Sequence, residues 1–283
     1  MSVLIDWPRV DAPAVSAVVV VHGDAVVRSG TLLRTLAAMK RHHRRGVLPT
    51  EVIVVVHPDL SGATASAWLR ATTCGVHIVE PGRNLGFGGG CDVGIARARA
   101  EVIALVNPDL EVTEGWLEPL VAALDDPRVA IAAPPMLNPD GSIQEAGQMI
   151  FSDGGTEPIG GSRLWNGDRE AIWFDRDVDY ASAACWVLRR ATYDRLGGFD
   201  PAYSPAYFED ADLAMRAAQQ GLVTRLVVAR PVVHHHDDPT PAARALAQAS
   251  RRVFERRWKR ELTLQPAREA TFALTCGTAR PSQ

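Results

Sequence analysis

The chain has 283 residues, 47% of them hydrophobic and 22% charged, with a formal net charge of -3. That length supports one sizeable α/β domain, or a domain with a small appendage. The charge excludes a protein that coats nucleic acid, which needs a strong basic excess. The four cysteines, Cys74, Cys91, Cys185 and Cys276, include no Cys-x-x-Cys pair, so neither a zinc ribbon nor a redox motif is expected. Met1–Pro13 has no apolar stretch of the signal-peptide kind, and no apolar run is long enough to span a bilayer. A cytoplasmic protein with reduced thiols is expected, one that meets a membrane only at its surface.

Val15–Val21 is a short, continuous, β-branched run, the pattern of a strand covered on both faces. Leu32, Leu33, Leu36 and Met39 follow at helical spacing, and the helix stops in the basic run before Gly46. Glu51–His57, Val76–Glu80 and Glu101–Asn107 read as three more strands, with helices around Ala63–Arg70 and Val93–Ala100. This alternation predicts a mostly parallel, doubly wound α/β sheet whose strand C-termini share one edge, where ligands bind. Pro134–Met149 is rich in turn signals, and Ser152–Asp179 reads as a long loop over the site. Ala181–Leu188, Leu222–Val228 and Pro231–His236 are further strands. Glu209–Gln220 and Pro241–Lys259 are helices.

Four segments carry chemistry. Asn107-Pro108-Asp109 follows the fourth strand, where a carboxylate can hold Mg²⁺ or Mn²⁺ beside substrate phosphates; by itself the tripeptide reads first as a turn. Asn84–Ile95 carries five glycines between a strand and a helix. Such a run admits a close ligand or a tight helix–sheet contact. Glu209, Asp210 and Asp212 open a helix. Such acids suit the helix dipole, and one of them can serve as a general base. His234-His235-His236-Asp237-Asp238 ends a strand, with His234 and His236 on one face. A metallohydrolase built on this last cluster lacks a second set of ligands at metal spacing.

Together, in this order and spacing, these pieces resemble the family 2 glycosyltransferases, in particular their bacterial rhamnosyltransferase-like branch. The resemblance runs from Val15 to His236 and includes Gly115-Trp116-Leu117, Asp140–Gln144, Cys185–Arg190 and Gly197–Leu213. It implies a GT-A fold over residues 1–240, with a nucleotide-binding half at about 14–110 and an acceptor half at about 111–240. A C-terminal helix and tail fill 241–283. It implies an inverting transfer of rhamnose or another hexose from a nucleotide-diphosphate sugar to a hydroxyl of a glycan or glycolipid, in the synthesis of cell-envelope polysaccharide. Asp109 and His234 would hold the divalent cation. Asp210 would be the catalytic base, and Glu209 would position the acceptor. Asn84, Gly86, Phe87, Gly88, Asp92, Asn107 and Asp212 would line the substrate pocket. The chain departs from the family at Val56, where an acid usually grips the nucleoside. Asp24 and Asp59 are the candidates to replace it. The departure leaves a second reading, a non-catalytic nucleotide-sugar or carbohydrate-binding protein. The basic C-terminal helix can lie on an anionic membrane surface; the preferred reading packs it on the domain with a solvated basic face.

Overall fold

The computed structural model describes residues 5–22, 30–43, 47–58, 64–161, 169–235 and 240–268. Its main sheet has eight strands. In chain order they are β1 (Val15–His22), β2 (Thr50–His57), β3 (His77–Val79), β4 (Val102–Val106), β5 (Val129–Ala133), β6 (Arg176–Val178), β7 (Cys185–Arg189) and β8 (Val223–Leu226). The spatial order is β6-β8-β5-β7-β4-β1-β2-β3.

Strands β1 to β4 are mutually parallel where they touch, as the hydrophobic pattern predicts. The second half is mixed. β7 runs antiparallel to both β4 and β5, and β6 antiparallel to β8. Both faces of the sheet are covered. Val19, Val21, Val54 and Val106 pack with Leu32, Leu36 and Leu120 on one side. Val18, Val20, Ile53 and Leu105 pack with Cys91, Ile95, Tyr193 and Leu213 on the other. This burial on both faces is why the strands read as unbroken apolar runs.

The helices among the described residues are α1 (Thr31–Arg41), α2 (Thr64–Thr72), α3 (Gly86–Arg97), α4 (Leu117–Ala123), α5 (Arg190–Leu196), α6 (Glu209–Gln219) and α7 (Pro241–Arg257). None is long and apolar enough to cross a membrane. α3 begins at Gly86, two turns before the expected start, so the glycine run is helix rather than loop. Packing explains it. A Cβ on Gly94 would lie 2.3 Å from Val18 Cγ1, and one on Gly90 would lie 2.6 Å from Val20 Cγ1. The missing side chains let the helix press onto β1 and β2, where the gain in packing offsets the poor helix propensity of glycine.

The stretch 152–179, expected as a loop, carries structure of its own. Gln148–Ile150 pairs with Thr156–Pro158, and β6 joins the main sheet. A second, four-stranded sheet crosses the C-terminal edge of the first. Its order is Ile143–Glu145, Met136–Leu137, Val232–His234, Leu110–Glu111. This small sheet brings distant parts of the chain to one place.

α7 packs on the domain, as the preferred sequence reading has it. Phe254, Trp258 and Leu262 are buried with Ile150, Tyr203 and Met215. Arg251 pairs with Asp153 and Glu255, and Arg257 with Asp200 and Asp212.

Candidate active site

Asp109 leaves the end of β4 on a tight turn held from three sides. The Asn107 amide donates to Ala184 O at 2.7 Å, and the Thr35 hydroxyl of α1 donates to Pro108 O at 2.7 Å. The His235 amide donates to Asp109 O at 3.0 Å. The last bond belongs to the small sheet, in which His234 pairs with Leu110. His234 Nε2 therefore faces Asp109 Oδ1 at 3.2 Å. That oxygen is buried and accepts no hydrogen bond, an expensive state unless a positive group meets it. No cluster of three or more His, Cys, Asp or Glu suited to a metal occurs among the described residues. The pair nevertheless fits Mg²⁺ or Mn²⁺, which take one or two protein ligands and complete their shell with water and phosphate oxygens.

Asp210 sits in the first turn of α6. Two successive residues before that helix, Tyr207 (φ 77°) and Phe208 (φ 67°), are left-handed without being glycine. Such backbone strain gathers at functional sites and persists only where the surroundings enforce it. Asp210 Oδ1 accepts from the Ala211 amide at 2.8 Å, and Oδ2 accepts from the Ala183 amide at 3.4 Å. Burial raises its pKa above the ordinary aspartate value. Glu209 is raised further, by burial and then by the Asp210 charge, and its Oε2 is buried with no hydrogen bond. Two adjacent buried carboxyls cannot both ionise cheaply, so each raises the cost of charging the other. Glu209 is only 7% exposed.

A third carboxyl, Glu145, escaped the sequence reading. Its Oε1 accepts from the Ser182 amide at 2.8 Å and its Oε2 from Gln148 Nε2 at 2.6 Å. Burial pushes its pKa up to about 7, with Asp210 adding to the rise and His234 opposing it. Glu145 thus lies within electrostatic reach of both Asp210 and His234. The segment Ser182–Ala184 is the common brace. Its three residues bond in turn to Glu145, to Asp210 and, through the Ala184 carbonyl, to the Asn107 turn.

Other expected site residues fall elsewhere. Asp212 is fully buried, and its carboxylate accepts from Tyr203 Oη, Trp258 Nε1 and Arg216 Nε at 3.0, 2.9 and 2.8 Å, with Arg257 Nε at 3.1 Å. It anchors α6 to α7 and does not reach substrate, because helical spacing turns it away from the face of Asp210. The expected result of Asp212→Ala is a loss of about 3–5 kcal/mol of stability, the scale for breaking a buried ion pair; denaturant titration measures it.

Gly86 and Gly88 make room for protein, not ligand. A Cβ there would lie 2.5 Å from Pro205 O and 2.8 Å from Phe199 Cβ. The Phe87 ring packs against Phe199 at 5.9 Å between centroids. Asn84 is exposed and caps the Gly86 amide at 2.9 Å. Asp92 accepts from Tyr193 Oη at 2.5 Å, and burial raises its pKa. Asn107 is half-buried at the mouth of the Asp109 turn. Asp24, Asp59 and His236–Asp238 lie outside the described residues. Val56 is buried in the core. Beside it, His57 ends β2 with a buried Nε2 that has no hydrogen bond, and burial lowers its pKa.

The described residues thus place a carboxylate–imidazole pair at the edge of a two-sided α/β sheet, braced through Ser182–Ala184 to a helix-start acid. The sequence pattern of glycosyl transferase family 2 matches residues 16–197. The chain belongs to that family, and its architecture is GT-A. An uncharacterized protein of Sinorhizobium fredii is 26% identical over 95% of this chain, which spans 30% of that protein's length. The N-acetylglucosaminyl-diphospho-decaprenol L-rhamnosyltransferase of Mycobacterium tuberculosis is 26% identical over 66% of this chain and 67% of its own. The crystal structure of GalNAc-T7 with UDP, GalNAc and Mn²⁺ superposes with a TM-score of 0.66 at 16% identity, over 89% of this chain and 49% of that one. At that identity the likeness is one of fold.

Proposed function

We propose that the chain is an inverting glycosyltransferase that moves a hexose, rhamnose first among the candidates, from a nucleoside-diphosphate sugar to a hydroxyl of a glycan or lipid-linked acceptor in envelope polysaccharide synthesis. One observation carries this reading. The cation pair Asp109–His234 and the carboxylate of Asp210 are tied to the same three-residue brace, Ser182–Ala184.

The chemistry follows from that placement. Asp210 Oδ takes the proton of the acceptor hydroxyl. The acceptor oxygen forms a bond to the anomeric carbon from the face opposite the diphosphate. The bond from that carbon to the diphosphate oxygen breaks, and the nucleoside diphosphate leaves with the electron pair. A single displacement inverts the anomeric centre, the logic of inverting glycosidases applied to transfer. Asp109 and His234 would hold a divalent cation, whose chemistry there would be to neutralise negative charge on the diphosphate. Burial around Asp210 raises its basicity, which suits proton abstraction near neutral pH. The exposed basic residues Arg252, Arg256, Lys259 and Arg260, with Leu264 86% exposed nearby, fit an anionic lipid surface around a lipid-linked acceptor.

A second reading, donor binding without turnover, draws on the burial of Val56 where relatives place an acid. Thermal-shift titration with UDP-, GDP- and dTDP-sugars, with and without Mn²⁺, separates the readings when paired with an assay for released nucleoside diphosphate. A binding-only ligand raises the midpoint; a transferase also releases product once an acceptor is supplied. No shift with any donor would reject both.

A further inference from the structure

The turn Asn138–Gln144 has no part in the transfer chemistry above, yet its side chains run in one line to His234. We propose that this turn is a positioning device: it fixes the His234 ring as the Nδ1–H tautomer and aims the bare Nε2 at Asp109. This deepens the proposed cation site and depends on that reading only for its consequence on metal affinity.

Gln144 clasps His234 twice. Its Nε2 approaches the His234 backbone carbonyl at 3.5 Å, and its Oε1 lies 2.7 Å from His234 Nδ1. A backbone carbonyl only accepts, so the amide nitrogen belongs on that side and the amide oxygen faces the ring. An amide oxygen also only accepts, so Nδ1 must carry the proton. The remaining links agree in direction. Gln144 Nε2 donates to Asn138 Oδ1 at 3.1 Å, and Asn138 Nδ2 donates to Ser142 Oγ at 2.9 Å. The Ser142 hydroxyl donates to Asp140 Oδ1 at 2.6 Å. The row ends on a carboxylate whose pKa is lowered by its bonds to Ser142, and an ionised carboxylate cannot donate. Reversing the row would require every link to turn over.

The backbone holds these side chains in register. Asn138 N donates to Ser142 O at 2.8 Å, and Gly141 N to Asn138 O at 2.9 Å, with Gly141 at φ 84°. Asp140 and Ser142 are exposed, Asn138 and Gln144 are half-buried, and His234 is buried. Water competes with the outer links, so the Gln144–His234 link carries most of the bias.

The consequence lies across the ring. With the proton on Nδ1, Nε2 presents a lone pair to Asp109 Oδ1 at 3.2 Å. Two acceptors at that separation favour a cation between them. A carbonyl-type partner behind a ligating imidazole also raises its basicity and fixes its plane.

The test uses the full chain, free of metal, with ¹⁵N-labelled histidine, at a pH well above the ordinary imidazole range. Long-range ¹H–¹⁵N spectra read the tautomer of His234, assigned by loss of its signals in His234→Asn. The expected wild-type result is a protonated Nδ1 and a bare Nε2. In Gln144→Leu the Nε2–H form should rise from undetected to a comparable population. Gln144→Glu, which keeps an acceptor in place, should retain Nδ1–H. Titration with Mn²⁺ alone, followed by electron paramagnetic resonance, should show about 10- to 100-fold weaker binding for Gln144→Leu than for wild type, the scale for losing an outer partner of a ligand. Should Gln144→Leu fail to fold, Gln144→Met, which also removes the acceptor behind Nδ1, gives the same tautomer readout. A wild-type ring protonated on Nε2, or a ring indifferent to Gln144→Leu, overturns the proposal. The expected tautomers without any Mn²⁺ binding to wild type would uphold it and reject the cation reading instead.

Discussion

Asp210→Asn should lower turnover by roughly 10²- to 10⁴-fold, the range for losing a positioned general base, while leaving donor binding intact. The separation of the two effects is the point. The amide is close in size to the carboxylate, and its single oxygen can still accept from the Ala211 amide, as Asp210 Oδ1 does at 2.8 Å, while the longer 3.4 Å bond from the Ala183 amide is given up. The helix start should therefore survive. What disappears is the capacity to take a proton. Thermal shift with the donor should match wild type, and only product release should fall. The pH profile adds a second check. A base works when deprotonated, and burial raises the Asp210 pKa. The acidic limb of the rate profile should therefore lie above the ordinary aspartate range, and activity should fall as pH drops through it. A limb at the ordinary aspartate value would mean that another group accepts the proton. Full activity in Asp210→Asn would remove the base assignment altogether.

Asp109→Ala should act differently. The expected loss is on the order of 10²- to 10³-fold in turnover, the scale for deleting one preorganised stabiliser of developing charge. It should come with loss of the Mn²⁺-dependent part of the donor thermal shift. EDTA should produce the same fall in the wild type, and added Mn²⁺ should restore it there but not in the variant. Folding should hold, because the bonds that shape the turn are made by backbone atoms: Asn107 N, Pro108 O and Asp109 O. If chelation and Asp109→Ala both leave turnover unchanged, the side chain has no cation to hold.

The parallel half of the sheet was legible because its strands are buried on both faces and are rich in valine. β5 was not. Its sequence, Val-Ala-Ile-Ala-Ala, is short and alanine-rich, with no alternation of polar and apolar residues to mark it. β6 is three residues long, and only its pairing with β8 makes it a strand. The glycines of α3 were read as even between ligand approach and tight packing, and only atoms on the neighbouring strands decide the matter. Asp109, His234 and Asp210 could be named because motif order set them out. Glu145 could not. It lies in no acidic cluster, and its importance comes from the Ser182 amide 37 residues away. Asp212 is the opposite case. It stands in an acidic triplet that looks catalytic, while its partner Trp258 is 46 residues further on.

That last contact constrains the ends of the protein. Trp258 and Arg257 neutralise and enclose a carboxylate two residues from the proposed base. A shortened version that stops at residue 240 would leave the Asp212 carboxylate with Tyr203 and Arg216 alone and open its buried side to solvent. The terminal helix is thus less an appendage than the lid on an ion the fold has already committed to hiding, and the two must be inherited together.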